Sequence, residues 1–109
     1  MDINIKSEQE LNDCLATNPR LAVLFYASWC PHSRRFLPIF DKHVSGKEKY
    51  FRRVVVDDLD ELVDKYDINV YPTVLYFEKR KVVKRLDGIA GLGLDEKQLN
   101  GFLADCRIT

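Results

Sequence analysis

The run Leu21-Ala22-Val23-Leu24-Phe25-Tyr26-Ala27 constrains this chain more than any other segment. Seven unbroken apolar residues are too few for a comfortable core helix, and turn formers bound them at Asn18-Pro19 and Ser28, so they predict a strand buried on both faces. Burial on both faces requires helices above and below a sheet, which is an α/β architecture. The next segment is equally directive. Trp29-Cys30-Pro31 leads into Phe36, Ile39, Phe40, His43 and Val44, spaced three or four apart as on one stripe of an amphipathic helix. Pro31 suits its first position, where a missing N–H loses no intrahelical partner. Cys30 is thereby placed at a helix N-terminus. Pro38 lies inside the same helix and is expected to kink it.

The remaining elements fall around this unit. Asp2 to Ile5 alternates polar and apolar, as a short edge strand does, and Ser7 with Glu10 forms a capping box for a helix from Glu8 to Thr17. Phe51 to Val56 is a second apolar strand. Asp58-Leu59-Asp60-Glu61 carries a cap signature for a short helix running to Tyr66. Thr73 to Phe77 and Val82 to Leu86 read as strands whose connection is short enough for a hairpin. Asp95 and Gln98 cap a last helix that carries Leu99, Phe102 and Leu103. The order β-α-β-α-β-α-β-β-α implies parallel pairing early and antiparallel pairing late, hence a mixed central β-sheet flanked by helices on both faces. A chain of 109 residues builds one such domain, residues 1–109.

Charge excludes several functions. Seventeen Lys and Arg balance 17 Asp and Glu, so no long-range field draws the chain to nucleic acid or an anionic membrane. The pairs Arg34-Arg35, Arg52-Arg53 and Lys84-Arg85 and the triplet Lys79-Arg80-Lys81 alternate with Asp57, Asp58, Asp60 and Glu61, which reads as a solvated mixed surface. No run approaches the roughly 20 apolar residues of a membrane span. The amino end is charged within two residues and lacks a secretory core, so a cytoplasmic location is expected; a monomer is expected as well. Three cysteines leave at least one thiol free. Cys14 and Cys106 lie on helical faces beside Leu11, Leu15, Phe102 and Leu103 and read as packing residues. Together with Cys30, His32 and His43 they show no zinc spacing, and neither a phosphate-binding glycine loop nor a Gly-x-Ser-x-Gly elbow occurs, so no metal or cofactor is expected.

The chemistry points to Cys30. A strand that ends in a helix N-terminus presents amide dipoles to an anion, and a thiolate is such an anion. Cysteines so placed ionise well below the ordinary thiol range, so Cys30 is expected to be largely thiolate near neutrality. Two readings of His32 stay open: it adds positive charge beside Cys30 when protonated, or it is simply an exposed helix residue.

Phe25-Tyr26-Ala27-Ser28-Trp29-Cys30-Pro31-His32 resembles the active-site segment of thioredoxins, and Tyr66-Asp67-Ile68-Asn69-Val70-Tyr71-Pro72-Thr73 resembles their cis-proline segment. The resemblance implies the thioredoxin fold and a thiol–disulfide oxidoreductase acting on protein disulfides and recharged by a flavin-dependent reductase. It implies a cis Pro72 near Cys30, Trp29 and Tyr71 flanking the sulfur, and Gly88, Ile89, Ala90 and Gly91 completing an apolar groove. Three departures stand out. Ser33 occupies the position of the resolving cysteine, either in a naturally monothiol protein or as an engineered replacement that traps the mixed disulfide; Pro31-His32, as in some dithiol relatives, favours the second. Leu24 stands where thioredoxins bury an aspartate, and Arg53 where many carry a lysine, here read as an exposed strand-end charge. Tyr71 is bulkier than the usual residue before the proline. Ser33 and Leu24 keep open a redox-silent module that holds extended peptides. A monothiol, glutathione-linked protein of the glutaredoxin kind is a third reading, disfavoured by Tyr71.

Overall fold

The computed structural model describes residues 2–108. Its elements run in the predicted order: β1 (Asn4–Ile5), α1 (Glu8–Thr17), β2 (Arg20–Tyr26), α2 (Pro31–Val44), β3 (Phe51–Val55), α3 (Asp60–Lys65), β4 (Thr73–Glu78), β5 (Lys81–Asp87) and α4 (Glu96–Cys106), with a 3-10 turn at Glu48–Tyr50 before β3. The five strands form one sheet in the order β1-β3-β2-β4-β5. β2 lies in its centre, parallel to β3 and antiparallel to β4, which is why its sequence is apolar throughout.

The pleat divides β2 between two cores. Ala22 and Leu24 face a cluster with Phe36 and Phe40 of α2 and Leu99, Phe102 and Leu103 of α4. Leu21, Val23 and Phe25 face the other cluster, with Leu11 and Leu15 of α1 and Leu62 of α3. Helices therefore cover both faces.

The caps follow their sequence signals with two exceptions. Asp95 Oδ1 accepts from the Gln98 amide at 2.8 Å while Gln98 Oε1 accepts from the Asp95 amide at 2.9 Å, a closed capping box. At α1, Ser7 Oγ accepts from the Glu10 amide as expected, but Glu10 reaches one residue further back, to the Lys6 amide at 2.9 Å. At α3 the N-cap is Leu59, not Asp58, and no side chain caps it. The Leu59 carbonyl takes the Leu62 and Val63 amides instead. α2 continues across Pro38 as one 14-residue helix. The β4–β5 turn places Lys79 and Arg80 at φ of 50° and 71°, the left-handed pair that matches the twist of a two-residue hairpin.

Two arginines depart from the solvated surface that the sequence predicts. β3 lies between β1 and β2, so neither Arg52 nor Arg53 stands at a sheet edge. Arg52 is buried, its Nη1 donating to the carbonyls of Glu48 and Phe51. Arg53 is half-buried rather than an exposed strand-end charge. Its Nη1 meets Asp41 Oδ2 of α2 at 2.9 Å and its Nε donates to Asn4 Oδ1 at 3.0 Å, so the long side chain leaves the sheet along paired oxygens.

Candidate active site

Cys30 is the N-cap of α2, with extended backbone at φ −87° and ψ 121°. Its amide donates to the Ala27 carbonyl at 3.2 Å, and its carbonyl accepts from the Arg34 amide at 3.0 Å. Pro31 fills the first helical position as the sequence predicts. No side chain caps the first turn and no acid lies in it, so the partial positive charge of the amides remains available to Sγ. The residue is 8% exposed, recessed but open to solvent, and shares an apolar cluster with Ala27, Val56, Ile68 and the partly buried Tyr71.

Beside this recess stands an aromatic pair. Trp29 is 67% exposed, and its ring meets Tyr71 edge to face with centroids 6.0 Å apart. The Tyr71–Pro72 peptide is cis. Burial pushes the Tyr71 phenol above its ordinary range, and the negative charges of Asp60, Asp57 and Cys30 add to the effect, so the phenol keeps its O–H near the cysteine. Trp29, Cys30, Tyr71 and Pro72, read from two segments of sequence, are thus assembled at one place.

Ser33 is fully buried, and its Oγ accepts from the Ala27 amide at 3.3 Å. It stands at the third helical position, which an N-cap side chain ordinarily faces. His32 is half-buried, with Nδ1 3.3 Å from Nη2 of Arg35. Leu24 is fully buried among Ala22, Phe36, Phe40 and Val74, so the core beneath the site holds no proton-carrying side chain at that position.

The glycine loop is shifted from the segment that the resemblance implies. Gly88 presses on the proline segment so closely that a Cβ would lie 2.5 Å from the Pro72 carbonyl oxygen. A Cβ on Gly91 would meet nothing within 4 Å. The second close approach belongs to Gly93, where a Cβ would lie 2.9 Å from His32 Cβ. Leu92 and Ile89 project between these glycines, 66% and 47% exposed.

One tie was invisible in the sequence. Asp57, which reads there as a solvated acid, accepts from the Ser28 amide at 3.0 Å and from the Ser28 hydroxyl, fastening the residue before Trp29 to the β3–α3 loop. The partners lie 29 residues apart, and no local pattern joins them. These hydrogen bonds hold the Asp57 carboxyl below its usual value of 3.8. A carboxyl held low when folded supports the fold above that usual value, and the support is lost as pH falls through the folded value. Asp57→Asn is therefore expected to flatten the acid limb of stability below about pH 4, measured as urea midpoint against pH. A wild-type limb no steeper than that of the variant would contradict this.

The thioredoxin family model matches residues 2–103. The chain belongs to the thioredoxin family. A thioredoxin of Mycoplasmoides gallisepticum is 34% identical over 86 residues, covering 78% of this chain and 86% of that protein. Protein disulfide-isomerase 1 of Caenorhabditis elegans is 27% identical over 94 residues, 82% of this chain but 19% of that protein. Among solved structures, a Plasmodium falciparum thioredoxin superposes with a TM-score of 0.82 at 24% identity, covering 94% of this chain and 96% of that one, which confirms the thioredoxin fold. Membership of this family supports thiol–disulfide oxidoreductase chemistry in general.

Proposed function

We propose that this thioredoxin-family chain performs disulfide exchange with protein substrates through the Cys30 thiolate. The carrying observation is an uncapped α2 whose N-cap is Cys30, recessed beside Trp29 and Tyr71. The thiolate attacks one sulfur of a substrate disulfide in line; the Cys30–substrate S–S bond forms as the substrate's own S–S bond breaks, and the departing thiolate takes a proton from water. Pro31 starts the helix whose amides favour charge on Sγ. Trp29, Tyr71 and Pro72 hold the substrate as an extended segment along the Tyr71 backbone. A hydroxyl cannot replace the resolving thiol, so with Ser33 the mixed disulfide persists until an external thiol attacks it. In a form with cysteine at that position, a flavin-dependent reductase would regenerate the dithiol.

Mass measurement after incubation with an oxidised small-molecule disulfide near neutral pH tests this reading. One adduct is expected on Cys30, and Cys30→Ser should abolish it. Cys106 should stay unmodified, because burial pushes its thiol up to about 11. No adduct at Cys30 while Cys14 reacts would leave the redox-silent binding module, which Ser33 and Leu24 favour, as the better description.

A further inference from the structure

Arg35 lies on α2 one turn beyond its start, and its guanidinium joins two separate segments. Nη2 donates to the Leu92 carbonyl, lies 3.3 Å from His32 Nδ1, and would be 3.2 Å from a Cβ on Gly93. The Ile89–Gly93 turn is already closed on itself: the Ile89 amide donates to the Gly93 carbonyl at 2.9 Å, and the Ile89 carbonyl receives the Leu92 and Gly93 amides at 2.9 and 2.8 Å. The Leu92 carbonyl is the acceptor this turn offers to α2. Gly93, at φ +76°, lets the turn's backbone settle against His32. Among the described residues no carboxylate pairs with Arg35.

A guanidinium has only hydrogens to offer, so the ring nitrogen facing it must present a lone pair. With Nδ1 accepting, the ring hydrogen sits on Nε2. We propose that Arg35 is a positioning residue of the site: it fixes this tautomer of His32 and seats the Ile89–Gly93 turn against the first turn of α2, which sets the exposed Leu92 and Ile89 as an apolar wall beside the start of that helix. Arg35 also places a fixed positive charge beside the first turn of α2. The consequence for substrates rests on Cys30 being the attacking group, whereas the positioning itself does not.

The test uses wild type, Arg35→Gln and Arg35→Lys. Ring-nitrogen NMR of wild type at mildly alkaline pH should show a hydrogen-bearing Nε2 and a lone-pair Nδ1. Arg35→Gln should give a tautomer mixture and speed amide exchange of Leu92 and Gly93 about tenfold, with β4 amides unchanged. Arg35→Lys should fall between the two. A wild-type ring carrying its hydrogen mainly on Nδ1, or exchange rates unmoved in Arg35→Gln, overturns the proposal. Neither readout involves Cys30 reactivity, so failure here is separate from failure of the adduct experiment. In variants that do form the Cys30 adduct, a raised half-saturation concentration for single-turnover adduct formation with a disulfide peptide, with the limiting rate nearly intact, is expected on losing the wall.

Discussion

Ser33→Cys is expected to convert a chain that halts at the mixed disulfide into one that reduces disulfides repeatedly. The residue stands at the third helical position, which the N-cap side chain of Cys30 ordinarily faces, so a thiol there is held close to the bond it must break. Held nucleophiles act at effective concentrations far above those of a dissolved thiol, and a gain of at least about a hundredfold over millimolar external thiol is expected. Ser33 Oγ accepts the Ala27 amide, and sulfur is a weaker acceptor, so the exchange should lower stability by about 1 kcal/mol. An insulin precipitation assay with a dithiol reductant, run beside urea unfolding, measures both. Equal turnover by the two forms would show that a second thiol has no part in the mechanism.

Gly88→Ala should damage the site from behind. The new methyl would enter to 2.5 Å from the Pro72 carbonyl, a backbone atom with no rotamer by which to retreat. Either the β5 end or the Tyr71-Pro72 segment must move, and overpacking of this kind costs about 1–3 kcal/mol. Displacing Tyr71 also opens the Trp29 contact, so adduct formation at Cys30 is expected to slow about tenfold. Gly101→Ala supplies the opposite sign. A Cβ added there on α4 would meet nothing within 4 Å beyond its own helix backbone, and alanine should stabilise by about 0.5–1 kcal/mol. Urea midpoints for both variants decide it, and a Gly88→Ala protein as stable and reactive as wild type would mean the loop yields without consequence.

Local signals carried the fold because they are repeated at several levels. The unbroken β2 run, the stripe after Pro31 and the Asp95–Gln98 box each act within a few residues, and each appears where its chemistry requires. α3 shows the limit: two acids near a helix start do not settle which residue caps it, and the backbone of Leu59 took the position. The Trp29-Cys30-Pro31 junction was legible for the same local reason, since a cysteine before a helix-starting proline has little choice of place.

Sequence alone determined a central two-faced strand, the helix that follows it and the cysteine between them, because burial periodicity and capping depend on near neighbours. Tertiary structure alone decided that Asp57 holds Ser28, that Arg53 is paired in mid-sheet, that Gly93 rather than Gly91 meets His32, and that Arg35 faces its ring. Those contacts join residues brought together only when the sheet order and the loop paths are set, and a hydrogen bond between distant side chains leaves no periodic trace in the chain that makes it.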